Sequence, residues 1–330
     1  MNTGPVLSEA GGDHIVRWPP VKDGDVFLSF PFLPAGPIPM TDHPLLSVLT
    51  RIADSLERIS PKPPGADILN HHDAFIWQAA LGTLTPVEKV SGVPLRLLRG
   101  VQRQMEQVMA NTRHFAEGYA ANNVMLWGAR GMGKSSLVKA SVAAVNAEQR
   151  ARKGATLALI EIQRDELSTL PKLLAVLRQT KRRCILFCDD LSFESQDADY
   201  KSLKSVLDGG IGGRPENVLV YATSNRRHLM PREMIENESG SAINPAEAIE
   251  EKVSLSDRFG LWIGLYSATQ DDYLAIVDAY ADNLKLPVDR ETLHRRALQW
   301  SMSRGSRSGR VASQFINELS AELGVHSPQP

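Results

Sequence analysis

Cysteine is nearly absent: Cys184 and Cys188 are the only two in 330 residues. Four positions apart in an apolar run, they fall on the same side of a strand, too far apart along it for a comfortable disulfide. No further Cys and no nearby His completes a metal-ligand set. They read as two small buried apolar residues. Long apolar runs are absent too, and none approaches the ~18 residues of a membrane span. The opening residues, MNTGPVLSEAGGDH, hold no basic segment followed by an apolar one, so no secretory signal is expected. Neither sign of charge is in excess, with 37 basic and 38 acidic residues. Overall charge therefore gives no argument for nucleic acid, while leaving room for a local basic groove. There are no internal repeats. These absences lead to the expectation of a cytoplasmic protein without a membrane span. The 42% apolar and 23% charged content is that of a globular chain, long enough for two or three domains.

What is present is concentrated at Gly128–Ser136, GARGMGKSS. It fits G-x-x-x-x-G-K-[ST], the phosphate-binding P-loop. Gly128, Gly131 and Gly133 free the backbone for conformations closed to residues with a Cβ. The amides of Ala129, Arg130, Met132 and Ser136 and of the glycines can then turn toward a polyphosphate, with a helix start behind them. Lys134 would reach the β- and γ-phosphates, and the Ser135 hydroxyl would ligate Mg²⁺. The setting is the required one. Asn123–Trp127 is a short apolar run, hence a strand, and Ser135–Ala147 has helical periodicity.

Along the chain, residues 1 to about 40 are rich in Pro and Gly and read as an extended arm, with one strand at Val26–Phe30. Leu45–Ile59 is an amphipathic helix stopped by PKPPG. Asp73–Leu81 is expected to be another short helix, with His71 and His72 in the solvated turn before it. Leu95–Ala120 continues as a helical stretch. Further apolar runs lie at Thr156–Ile162, Cys184–Asp190, Val218–Asn225 and Leu261–Tyr266. Helical pieces fall at about 165–170, 171–179 and 200–207. Beyond the last run only helical patterns follow, at about 270–284, 289–303 and 309–323. Strands alternating with helices predict an α/β fold, a parallel sheet covered on both faces, with a small helical domain after it. Ligands in such sheets bind at the carboxyl ends of the strands.

Those ends carry the candidate chemistry. CILFCDD closes an apolar strand with Asp189, the natural Mg²⁺ partner of Ser135, and Asp190, which would polarise the attacking water. Glu194 is a second candidate for that acid. Asn225 ends the next strand; its amide either holds the attacking water or γ-phosphate, or caps the turn into Arg226-Arg227-His228. Arg226 and Arg227 face phosphate or a neighbouring subunit, or form a solvated basic turn. Arg258, in SLSDRFG, stands before the fifth run as a candidate arginine finger reaching across a subunit boundary; the alternative is a surface pair with Asp257. Arg310 opens the last helix, where it can close the helical domain over the nucleotide. Arg304 and Arg307 are alternatives to it, or part of a basic surface.

This order of motifs resembles the AAA+ ATPases, over roughly residues 95–325. GARGMGKSS matches Walker A, CILFCDD Walker B, Asn225 sensor 1, Arg258 the arginine finger and Arg310 sensor 2. The longer strings NNVMLWGARGMGKSSLVKA, DDLSFE, ATSNRRHLMP and SLSDRFGLW resemble one bacterial AAA+ family, known as domain of unknown function 815. The resemblance implies a P-loop NTPase three-layer sandwich around a five-stranded parallel sheet in the order 5-1-4-3-2, with an α-helical lid, ATP and Mg²⁺. It gives three expected segments: a mostly helical extension at 1–92, the nucleotide-binding core at 93–266 and the lid at 267–330. One departure matters. The acidic pair is DD rather than DE, and the shorter Asp reaches less far toward water, although initiator-like AAA+ proteins share it. The expected activity is ATP hydrolysis coupled to conformational change in an unidentified protein client, in a homo-oligomer completed by Arg258. The alternatives are a nucleotide-gated DNA-associated factor, which net charge does not indicate, and an ATP-held scaffold with little turnover.

Overall fold

The computed structural model describes residues 44–59, 66–192, 198–208, 214–225 and 258–326. The expected Val26–Phe30 strand, Glu194, Arg226 and Arg227 lie outside them. The chain divides into two units, Met1–Pro61 and Lys62–Pro330. The first contains helix α1, Pro44–Ile59, as the amphipathic pattern predicts, with Val48, Leu49 and Ile52 exposed.

The second unit is built on one sheet. Strands β1 (Ala74–Gln78), β2 (Thr83–Pro86), β3 (Val124–Gly128), β4 (Ala158–Glu161), β5 (Cys184–Cys188), β6 (Val218–Ser224) and β7 (Leu261–Leu265) line up as β2-β1-β4-β5-β6-β3-β7. All neighbours are parallel except the β1–β2 hairpin. Read from β7 to β4, the five core strands have the expected order 5-1-4-3-2. With the P-loop between β3, the neighbour of the edge strand β7, and the helix that follows it, this is the arrangement that the AAA+ resemblance implies.

The sheet has seven strands, not five, and the difference corrects one expectation. Asp73–Leu81 is not a helix. Ala74, Phe75 and Trp77 are buried in β1, whose aromatic and β-branched residues suit a strand packed on both sides. The chain turns at Gly82, φ +65, into β2. His71 and His72 therefore precede a strand. The expected helical stretch 95–120 is also broken. A 3₁₀ turn at Leu95–Leu97 is separated from helix α2, Gln102–Glu117, by Gly100 at φ +73.

Period-two alternation sorts the strands between two cores. Met125, Leu186, Cys188, Val220 and Ala222 face helices α4 (Leu170–Leu177) and α5 (Ala198–Asp208). Val124, Leu126, Ile185, Phe187, Leu219 and Tyr221 face α2 and α3 (Lys134–Ala151). Both cysteines are free and buried, and burial pushes the Cys184 thiol up to about 12. The lid is three helices, α6 (Gln270–Leu284), α7 (Arg290–Arg304) and α8 (Gly309–Glu322). They close on a core of their own around Tyr273, Val277, Leu293, Ala312 and Phe315. Each starts on a side-chain cap: Thr269 in a capping box with Asp272, Asp289, and Ser308.

Candidate functional site

The P-loop takes its shape from glycine at three tight places. Gly128 has φ +128, and a Cβ there would lie 2.0 Å from the Leu265 carbonyl oxygen of β7. Gly131 has φ +74, and its Cβ would meet Ser308 Oγ at 2.9 Å and Arg310 Cβ at 3.1 Å. Gly133, at φ +85, forms the N-cap of α3. The lid thus rests directly on the loop. The Arg310 amide donates to the Gly131 carbonyl at 3.2 Å, a contact that a Cβ on Gly131 would crowd.

Lys134 is only 7% exposed. Its Nζ donates to the Gly128 and Ala129 carbonyls at 3.0 and 2.9 Å and to Asn225 Oδ1 at 2.8 Å. Burial lowers its pKa from the ordinary lysine value; Asp190 and Asp189 pull it back up, and Arg130 and Arg310 press it down again.

At the strand ends, parity decides who meets whom. Asp189 follows Phe187 on the α3 face, and Thr223 and Asn225 follow Tyr221 on that same face. Ser135 Oγ donates to Asp189 Oδ1 at 2.5 Å, and the Thr223 hydroxyl bonds the same oxygen. Asp190 has φ +52, unusual for a residue with a Cβ. Its amide donates to Thr223 Oγ1 at 2.9 Å, and Asn225 Nδ2 donates to its Oδ1 at 2.5 Å. Asn225 therefore bridges the loop lysine and the second acid.

These groups line one cleft of ≈ 720 Å³. It runs from Asp189, Asp190, Thr223 and Asn225, past residues 130–136, to Arg310, Ser313 and Gln314 of α8. Its other end has apolar walls: Val93, Leu97 and Leu98 before α2, and Ile276 and Tyr280 on α6, with Arg99 beside them. Sequence reasoning missed those residues and Thr223. Leu97 and Leu98 were hidden in an apparent continuous helix, while Thr223 had a usable signal, its parity with Asn225.

The remaining candidates are elsewhere. Arg258 does not line the cleft. It precedes β7, which runs parallel to β3, so it stands at the far end of the strand from its own P-loop. Five residues at ~3.3 Å each make that about 16 Å. Arg304 lies over the Trp300 ring at 4.8 Å, and Arg307 lines a separate pocket of ≈ 600 Å³ with Arg130 and several serines. No His/Cys/Asp/Glu metal cluster occurs among the described residues, and none of their helices is long and apolar enough to cross a membrane.

Solved structures similar to the chain include the Thermotoga maritima RuvB Holliday junction branch migration motor, at 13% identity and TM-score 0.39, covering 71% of this chain and 85% of that one. Another is the Aeropyrum pernix Orc1 protein in complex with DNA, at 13% identity and TM-score 0.41, covering 68% and 66%. No curated protein matches. A match to a family model spans residues 70–323, from just before β1 to the end of the lid. The chain belongs to that family, whose description is "Protein of unknown function (DUF815)".

Proposed function

We propose that the chain is a Mg²⁺-dependent ATPase that couples ATP binding and hydrolysis to movement of its lid, and through it to a protein client. The observation that carries this reading is the hydrogen-bonded set Ser135–Asp189 and Lys134–Asn225–Asp190, gathered in one cleft beside a glycine loop. The residues fit the nucleotide and ion. Gly131 and Gly133 hold the positive-φ backbone that lets successive loop amides turn toward a phosphate, and the hydroxyl–carboxylate pair is the hard oxygen donor set Mg²⁺ takes. Four cationic side chains line the cleft (Lys134, Arg130, Arg310, Arg99) against two carboxylates. That surplus matches the negative charge of a magnesium-bound triphosphate.

The roles follow from position. The apolar end holds the base, and the amides of 128–136 hold the phosphates. Lys134 exchanges two loop carbonyls and Asn225 for phosphate oxygens. Ser135 and Asp189 hold the ion, which when bound neutralises charge on the β- and γ-phosphate oxygens. Asp190 takes the proton of the attacking water, held by Asn225; Glu194 is the second candidate for that acid. Arg310 ties the lid to the phosphates. Arg258, remote from its own cleft, completes the site of a neighbouring copy in a homo-oligomer.

A second reading, a nucleotide-gated DNA-associated factor, is favoured by the exposed Arg304 and by the exposed Arg307, which shares a pocket with Arg130 of the P-loop. DNA binding that weakens steeply with salt supports it; no binding at low salt removes it. The experiment for the main reading is ATP turnover with Mg²⁺ over a wide protein concentration range. Specific activity rising with concentration means a site completed between subunits. Flat, very slow turnover with tight ATP binding overturns the ATPase reading in favour of a nucleotide-held scaffold.

A further inference from the structure

We infer that Thr223 is a positioning residue for both acids of the pair, and that its hydroxyl sets how strongly Mg²⁺ tightens nucleotide binding; this rests on the reading of the cleft as a Mg²⁺–nucleotide site. Thr223 is 1% exposed, so its hydroxyl is nearly closed to water and relies on its protein partners. The Asp190 amide can only donate, and it gives its proton to Thr223 Oγ1 at 2.9 Å. The hydroxyl's own hydrogen therefore goes to Asp189 Oδ1, its other partner. One side chain thus fixes the first acid through its carboxylate and the second through its backbone.

The backbone half of this contact has a specific consequence. Asp190 is held at φ +52, a conformation that costs a residue with a Cβ on the order of 1 kcal/mol or more. The Thr223 hydroxyl and the Thr223 carbonyl, which accepts from Leu191 N at 2.6 Å, pin the turn from both sides. The turn aims the Asp190 carboxylate at Asn225 Nδ2, 2.5 Å away. A short Asp can take the second acidic position because the backbone beneath it is turned toward the site. On Asp189, the Thr223 and Ser135 hydroxyls share Oδ1, which fixes the carboxylate's rotation. Among the described residues Oδ2 has no hydrogen-bond partner, so this rotation decides where it points.

Thr223→Val keeps the β-branched shape and removes only the hydroxyl. Thr223→Ser keeps the hydroxyl and removes only the methyl. The readout is calorimetric affinity for a non-hydrolysable ATP analogue, with Mg²⁺ and with EDTA. The wild type is expected to bind more tightly with Mg²⁺. Thr223→Val should match it in EDTA within about twofold and lose about 10- to 100-fold of the Mg²⁺-dependent gain, the usual cost of removing an outer partner of a metal ligand. Thr223→Ser should stay within about threefold of wild type throughout, and in turnover assays it should restore kcat. A well-folded Thr223→Val with the full Mg²⁺ gain overturns the proposal. So does Thr223→Ser losing tenfold of the gain, a test that stands even where the valine variant does not fold. Wild type showing no Mg²⁺ gain at all instead overturns the reading of the cleft, and this inference with it.

Discussion

Two charged knots sit at opposite edges of the same sheet, and they treat their carboxylates differently. At the N-terminal edge Asp73, just before β1, is met by two guanidiniums: Arg182 at 2.7 Å and Arg150. Arg182 is itself saturated. It also donates to the carbonyls of Leu69, His72, Thr156 and Leu157 and to the Thr156 hydroxyl. Burial pushes the Asp73 carboxyl up, but hydrogen bonds from Arg182 and Arg150 outweigh it and leave the pKa lowered. At the C-terminal edge the described partners of Asp189 and Asp190 are neutral: two hydroxyls donate to the Asp189 carboxylate and the Asn225 side chain to that of Asp190, whose own amide donates to Thr223 Oγ1. Among the described residues neither makes an ion pair. A carboxylate neutralised by fixed arginines stitches strands together. On the proposed reading, a carboxylate aligned by neutral groups is left open to a cation that comes and goes.

The sharpest way to break this contrast is to neutralise one acid in each knot. Asp189→Asn should lower ATP turnover about 10³-fold, since metal stabilisation of the reacting phosphate is worth several kcal/mol. The same change should move stability by no more than about 0.5 kcal/mol, the usual range for an exposed site. A large stability loss would mean that the C-terminal knot is scaffold too. In the proposed homo-oligomer, Arg258→Ala tests the same edge from the neighbouring copy: turnover should fall on the order of 10³-fold with nucleotide affinity retained. Unchanged turnover removes Arg258 from the mechanism.

Asp73→Asn should do the reverse. It weakens a pair whose guanidinium is 10% exposed but whose carboxylate is 31% exposed, so the cost should fall between the ~1 kcal/mol of a surface pair and the ~3 kcal/mol of a buried one, with the carbonyl partners of Arg182 softening it. Nucleotide affinity should not change. The pH dependence has a definite sign. The pKa is lowered in the folded chain, so the Asp73 contribution is complete above the unfolded carboxylate pKa and disappears as pH falls through the lower folded one. Denaturant titrations should show wild type and variant converging only in acid. A constant gap across that window would mean that the charge is not what Asp73 contributes.

The sequence made the C-terminal knot readable and the N-terminal one not. Glycine spacing at 128–133 and an apolar run ending in Asp189 each have a reason tied to phosphate and metal, so they stand out from an ordinary helix start or strand end. The lid helices were equally plain, because only helical patterns follow the last apolar run; the capping residues Thr269, Asp289 and Ser308 were a further signal left unread. Nothing comparable marks Asp73 or Arg182, whose partners are mostly backbone carbonyls, anonymous in a sequence. Strand β1 was mistaken for a helix because Ala74–Trp77 is too short to fix a period, and the four residues of β2 carry almost no pattern. Thr223 was hidden for another reason: in a strand, threonine needs no explanation beyond its β-branch. Only counting by twos from Leu219 through Tyr221 puts it beside Asn225.

The smallest expected effect concerns the cation that the C-terminal knot does contain. Lys134 has its pKa lowered, chiefly by burial, whereas bound phosphate favours its charged form. Its pKa must therefore be higher in the complex than in the free protein. By linkage, nucleotide affinity is complete below the free-protein pKa and declines as pH rises through it. The decline should begin at lower pH than an ordinary surface lysine would give. Above about pH 8 a phosphate with a second pKa near ~6 is fully ionised, so ADP titrations between pH 8 and 10 report the protein groups alone. Arg130 presses the Lys134 pKa down. Arg130→Gln should weaken ADP binding at all pH values, through the lost charge, and shift the decline to higher pH by a fraction of a unit. A decline that stays in place would mean that the affinity loss at high pH belongs to another group. A shift to lower pH would mean that Arg130 supports the lysine rather than competing with it.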